Sequence, residues 1–150
     1  MNVSAKVSQL LKNLEGFEDE PYQDGNGNWT IGYGHKIVEG DDYKPVGNKD
    51  KITKKAANDL LLKDIKDKAV QYINNYVHVD LTQNQFDALV LFVFNIGSNE
   101  FFHSSILKFI NEGDFEKAAS EFQKWVHVDG QRCSGLVARR ATERNLFMTS

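Results

Sequence analysis

The stretch Glu15-Gly-Phe-Glu-Asp-Glu-Pro-Tyr-Gln-Asp24-Gly-Asn-Gly-Asn-Trp-Thr30-Ile-Gly-Tyr-Gly-His35 decides the fold, because helical periodicity stops where it begins. Upstream, Val3, Val7, Leu10, Leu11 and Leu14 recur at helical spacing. A short amphipathic helix is therefore predicted over 3–15, with Gly16 as its stop signal and Glu15 at its C-terminal end. Inside the stretch, Asp24-Gly25-Asn26-Gly27 supplies residues that tolerate positive φ and suits a tight turn between Pro21–Gln23 and Asn28–Tyr33. A hairpin is predicted there. Out to Asp50 the glycines and both prolines interleave with Tyr22, Trp29, Ile31 and Tyr33, the pattern of a small, turn-rich β-region.

After Asp50 the pattern turns helical. Thr53 is a plausible cap for a run through Leu60, Leu61, Ile65, Ala69, Ile73 and Tyr76 that contains neither Gly nor Pro, long enough to join two lobes. Thr82-Gln83-Asn84-Gln85 is a capping-box pattern ahead of Phe86–Ile96, which is apolar on nearly every side and reads as the central buried helix, ended by Gly97. Further helices are predicted at Ser105–Glu112, at Phe115–His127 behind an Asp114 cap, and at Leu136–Met148 after a loop from Gly130 to Gly135. The sum is one α+β domain over 1–150. Its β-lobe spans about 17–52, and the helical lobe spans about 77–150 together with the N-terminal helix.

Composition narrows the function classes. With 150 residues, 41% of them hydrophobic, the chain can bury roughly 70% of its unfolded surface and needs no disulfide or structural metal for a core. Eighteen basic residues against 21 acidic ones give a net charge of -3, so no overall basic field recommends nucleic acid or an anionic membrane as partner. The one cysteine, Cys133, cannot form an internal disulfide. The N-terminal residues lack the apolar core of an export signal, and no stretch approaches the ~20 apolar residues of a membrane span.

A glycosidase needs one carboxyl group that stays protonated to donate to the leaving oxygen and a second that stays ionised on the opposite side of the sugar. Glu15, at the negative end of a helix dipole beside Phe17 and Tyr22, suits the first role. Asp24, in a polar turn, suits the second. Thr30, six residues on, offers a hydroxyl to help hold an attacking water. The bland alternative makes Asp24 a turn residue, Thr30 a strand residue and Glu15 a surface acid. Asp24, Asn26 and Asn28 also match the first ligands of a calcium loop, but Trp29 stands where that loop requires Gly and His35 where it requires Glu. His35, His78, His103 and His127 are too dispersed for a zinc motif, so no metal and no cofactor is expected. Cys133 with His127 carries no further signature of a cysteine amidase.

The order Glu15, eight residues, Asp24, five residues, Thr30, then Ile-Gly-Tyr-Gly-His35 resembles the phage-type lysozymes, glycoside hydrolase family 24. Leu81-Thr-Gln-Asn-Gln-Phe-Asp-Ala-Leu89, Phe94-Asn95-Ile96-Gly97 and Gly135-Leu-Val-Ala-Arg-Arg-Ala-Thr-Glu-Arg144 look like that family's helical-lobe motifs, in the same order. The resemblance implies a lysozyme-like fold, with a small β-hairpin lobe and a larger helical lobe joined by a long helix. It implies a muramidase cleaving the β-1,4 bond between N-acetylmuramic acid and N-acetylglucosamine, with Glu15 as general acid and Asp24 with Thr30 positioning water. Inversion goes with carboxyl groups roughly 6.5 to 9.5 Å apart. It further implies an ion pair between His35 and Asp64, and saccharide contacts at Lys36, Phe94, Asn95, Ser105 and Glu121, with Phe94 equally suited to core packing.

Arg132, Arg139, Arg140 and Arg144 concentrate positive charge near the C-terminus, either as a solvated helix face or as partners for Glu15 and anionic peptidoglycan. The expected setting is a phage or prophage lysis protein, a monomer made in the host cytoplasm that reaches periplasmic peptidoglycan through a separate holin. A lytic transglycosylase and a non-catalytic glycan-binding module are the alternatives.

Overall fold

A computed structural model describes all 150 residues and divides them into two compact units, Ala5–Ile65 and Met1–Ser4 with Lys66–Ser150. The first unit begins with α1 (Ala5–Glu15), which buries Val7 and Leu11. It starts later than the periodicity suggests, and the preceding Ser4 gives its backbone N–H (3.1 Å) and hydroxyl (2.5 Å) to the Asp87 carboxylate. Strands β1 (Glu18–Gln23), β2 (Trp29–Gly32) and β3 (His35–Lys36) form an antiparallel sheet in the order β1-β2-β3. Tyr22 pairs with Thr30 and Gln23 with Trp29, and a register shift lies between Glu18 and Tyr22. The hairpin expected around Asp24–Gly27 is thus present, extended by a third strand. Helix α2 (Lys54–Ile65) packs on the sheet, and Ile31, Ile52 and Ala57 form the unit's core beneath Phe17, Tyr33, Ile37, Tyr43 and Leu60.

Helical structure runs on through Lys66–Val70, a π-helical stretch, into α3 (Gln71–Tyr76). Ala69 and Val70 of the π stretch and Ile73 of α3 are buried.

In the second unit, α4 (Gln83–Ile96) opens with the expected capping box: Thr82 Oγ1 accepts from Gln85 N–H at 3.1 Å, and Gln85 Oε1 accepts from Thr82 N–H at 2.9 Å. Every residue from Phe86 to Val93 is buried. Around it lie α5 (Ser98–Phe102), α6 (Ser105–Asn111), α7 (Phe115–Glu121) and α8 (Ser134–Met148), the last packed most extensively against α4. Two sequence expectations are corrected here. The helix expected to reach His127 ends at Glu121, followed by one 3₁₀ turn at Phe122–Lys124. A hairpin, β4 (His127–Val128) with β5 (Gln131–Arg132), runs from the end of the expected helix into the expected loop, turned through Asp129 and Gly130 at φ +50° and +79°. Two consecutive positive φ values mark a type I′ turn, for which Asp-Gly is a favoured pair. No helix is long and apolar enough to cross a membrane.

Candidate active site

Three chain segments of the first unit converge. Helix α1 ends where Gly16 N–H bonds the Lys12 carbonyl at 2.9 Å, leaving Glu15 half-buried on its last turn. The Glu15 side chain lies directly over the β2–β3 turn: a Cβ built on Gly34 would stand 2.7 Å from Glu15 Oε2 and 3.2 Å from its Cγ. Gly34 has φ +74°. Its hydrogen atom in place of a side chain therefore serves both the turn and the approach of the acid.

Asp24 closes its own turn. Its Oδ1 accepts the backbone N–H groups of Asn26 and Asn28, both at 2.9 Å, while its backbone N–H bonds the Asn28 carbonyl at 2.9 Å. The Asn28 amide, then that of Asn26, and the Lys36 ammonium hold the Asp24 carboxyl below the usual carboxylate range despite some desolvation. Lys36 is paired with Thr30 across β2 and β3, which explains how it bears on Asp24. Thr30 is buried, and its hydroxyl donates to the Asn28 carbonyl at 3.0 Å. Since Thr30 faces Tyr22 across the sheet, the strand alternation puts Thr30 and Asp24 on one face as diagonal neighbours.

The Tyr22 phenol ties the site together. Burial raises its pKa first, and the carboxylates of Glu15, Glu18 and Asp24 raise it further, so both acids lie within electrostatic reach of this one ring.

His35 lies behind the sheet face, with Nδ1 2.7 Å from Asp64 and Nε2 2.9 Å from Asp41. The Asp64 bond, ahead of that from Asp41, lifts its pKa above the ordinary value against the pull of burial. Asp41 was not legible as a partner: it sits in an irregular loop, and only the fold brings it back onto β3. Its Oδ2 also accepts the Val38 N–H at 2.8 Å.

The remaining predicted contacts belong to the second unit. Phe94 and Asn95 are consecutive on the last turn of α4, Ser105 begins α6 beside its cap Ser104, and Glu121 ends α7, paired with Lys124 at 2.8 Å. Of these, Asn95 meets a buried charged pair, Arg140 and Glu143. Burial pushes the Glu143 carboxyl up, while Arg140 and Arg139 oppose that shift.

The phage lysozyme family profile matches residues 12–143. This chain belongs to the phage lysozyme family. The endolysin of Acyrthosiphon pisum secondary endosymbiont phage 1 is 39% identical over 98% of both chains. The endolysin of Bacillus phage B103 is 39% identical over 99% of this chain, which spans only 55% of that relative's length. Among solved structures, the muramidase domain of SpmX from Asticaccaulis excentricus superposes with a TM-score of 0.84 at 37% identity, covering 99% of each chain. The fold is thus lysozyme-like, and family membership makes the protein a lysozyme-type hydrolase.

Proposed function

We propose that this family member is a muramidase that hydrolyses the β-1,4 bond between N-acetylmuramic acid and N-acetylglucosamine in bacterial peptidoglycan, with inversion. The observation that carries the reading is the pairing of two carboxyl groups of different environment around Tyr22: Glu15, half-buried against Gly34, and Asp24, held ionised by two backbone amides. Glu15 donates its proton to the glycosidic oxygen as the C1–O bond breaks. Asp24 takes a proton from a water whose oxygen bonds to C1 from the opposite face. Because the Thr30 hydrogen is committed to the Asn28 carbonyl, its oxygen presents a lone pair that accepts the water's other hydrogen. Lys36, Phe94, Asn95, Ser105 and Glu121 contribute saccharide contacts in this reading. His35 and Asp64 support the sheet.

A lytic transglycosylase replaces the water by the substrate's own hydroxyl and has no use for a fixed Asp24. Purified peptidoglycan treated with the protein and with Glu15→Gln separates the cases by mass spectrometry of the released muropeptides. Reducing muramic acid ends that are absent with Glu15→Gln are expected. Anhydro ends would replace hydrolysis by transglycosylation, and intact strands would leave a binding module.

The biological part of the proposal is cytoplasmic synthesis in a bacterial host and release of a monomer to the wall through a separate holin. Cells expressing this chain alone should then stay intact until their inner membrane is permeabilised. Rapid lysis with that membrane intact would overturn it.

A further inference from the structure

Asn95 is exposed at the end of α4, whereas Arg140 of α8, which it touches, is only 2% exposed. A guanidinium buried to that depth needs acceptors around its edge. Arg140 has three: its Nη1 donates to Glu143 Oε1 at 2.5 Å, its Nε to the Trp125 carbonyl at 2.9 Å, and its Nη2 to Asn95 Oδ1. Its guanidinium carbon lies over the Phe92 ring, 5.1 Å from the centroid. Arg139 braces the same assembly, donating to Glu143 Oε2 at 3.3 Å and to the Leu91 carbonyl at 3.1 Å. A guanidinium only donates, so only the oxygen of the Asn95 amide can face it. The NH₂ group is thereby turned outward.

We propose that Arg140 is a positioning residue that makes Asn95 an obligate hydrogen-bond donor to a carbonyl oxygen of the bound glycan, selecting the acetamido sugar over its de-N-acetylated form. The inference rests on the peptidoglycan reading above. An acetamido group offers the acceptor that an outward NH₂ requires. The deacetylated sugar offers an ammonium, which donates only and opposes the Asn95 NH₂. An unanchored amide could rotate to suit either sugar; one held by a buried cation cannot.

The test compares N-acetylated peptidoglycan with the same material chemically de-N-acetylated, using wild type, Asn95→Asp, Arg140→Lys and the double variant. Asn95→Asp keeps the side-chain shape and the contact with Arg140 but replaces the donor by an acceptor. On acetylated substrate it should raise KM about tenfold while kcat stays within about twofold. Wild type should favour the acetylated substrate, and Asn95→Asp should lose that preference. Lys at 140 cannot reach three acceptors at once, so Arg140→Lys should lose the preference too, and the double variant should lose no more than either single one. A folded Asn95→Asp with the wild-type preference overturns the proposal. So does Arg140→Lys that lowers the melting temperature yet keeps the preference, which would make Arg140 a packing residue only. Equal wild-type KM on both substrates overturns this inference alone, whereas cleavage of neither overturns the muramidase reading and this inference with it.

Discussion

A methyl group at position 34 would occupy space that the Glu15 carboxyl already fills, at a residue whose φ of +74° strains any side chain. Gly34→Ala therefore perturbs the turn and the acid together. We expect its kcat/KM to fall about 100-fold, the scale of loss when a reacting group is misplaced by ~1 Å. Its stability should fall by about 1 to 2 kcal/mol. Thermal melts beside steady-state kinetics check both, and unchanged activity in a destabilised protein would show that Glu15 does not depend on the turn. Asp24→Asn makes the complementary case. Its side-chain oxygen can still accept from Asn26 and Asn28, so the hairpin should keep its melting temperature, but an amide cannot take a proton from water. A fall in kcat of about 100-fold or more is expected on that ground. Lys36, on the strand position paired with Thr30, adds a smaller push toward the ionised form of Asp24.

Among the elements, α4 depends most on its ends, since Phe86–Val93 is buried throughout and its first N–H groups need acceptors. Thr82→Ala removes one half of the reciprocal cap and should cost about 1 kcal/mol in a denaturant titration. Thr82→Ser keeps the acceptor and should recover most of it. This cap was legible in the sequence because four consecutive residues suffice to make it. The same holds for the Asp24 turn and for the placement of Glu15 at a helix end, both set by neighbours in the chain. What escaped has a physical pattern. The π stretch at Lys66–Val70 escaped because its residues carry no Gly or Pro to mark a departure from α-helical hydrogen bonding. The β4–β5 hairpin was hidden because its strands are two residues each and exposed, so Asp129-Gly130 had no apolar alternation around it. Asp41 reaches His35 only through the irregular course of the loop after β3, and Arg140 meets Asn95 across a separation of 45 residues, so neither contact shows in a local pattern. Tyr22 and Gly34 sat inside the motif that was read, yet their parts in the site became visible only with the cross-strand register and the Glu15 rotamer in hand.

For the whole molecule, the pH dependence of stability should carry the imprint of His35. Both ring nitrogens face carboxylates, Asp64 from α2 and Asp41 from the loop after β3, and a neutral imidazole can donate from only one of them. Folding therefore favours the imidazolium, and the folded pKa lies above the unfolded one near 6.5. A raised pKa means a contribution fully present below about pH 6.5 and lost as pH climbs through the folded value. Asp41 sets the opposite limb. Burial pushes its carboxyl up, but the Val38 N–H, His35 and the Lys63 charge outweigh that and hold it below its ordinary value. Its contribution is complete above about pH 4 and is lost as the pH falls through the depressed value. The clamp that ties the loop and α2 to β3 is consequently whole between about pH 4 and 6.5 and weakens on both sides. A series of thermal melts should show its plateau in that window. His35→Gln should flatten the alkaline limb and lower the plateau by about 2 kcal/mol, the scale of hydrogen bonds to charged groups. Asp41→Asn should flatten the acid limb and leave a smaller alkaline one, because Asp64 still holds the imidazolium. If His35→Gln leaves the alkaline limb as steep as in the wild type, another group titrates there and the clamp does not govern stability.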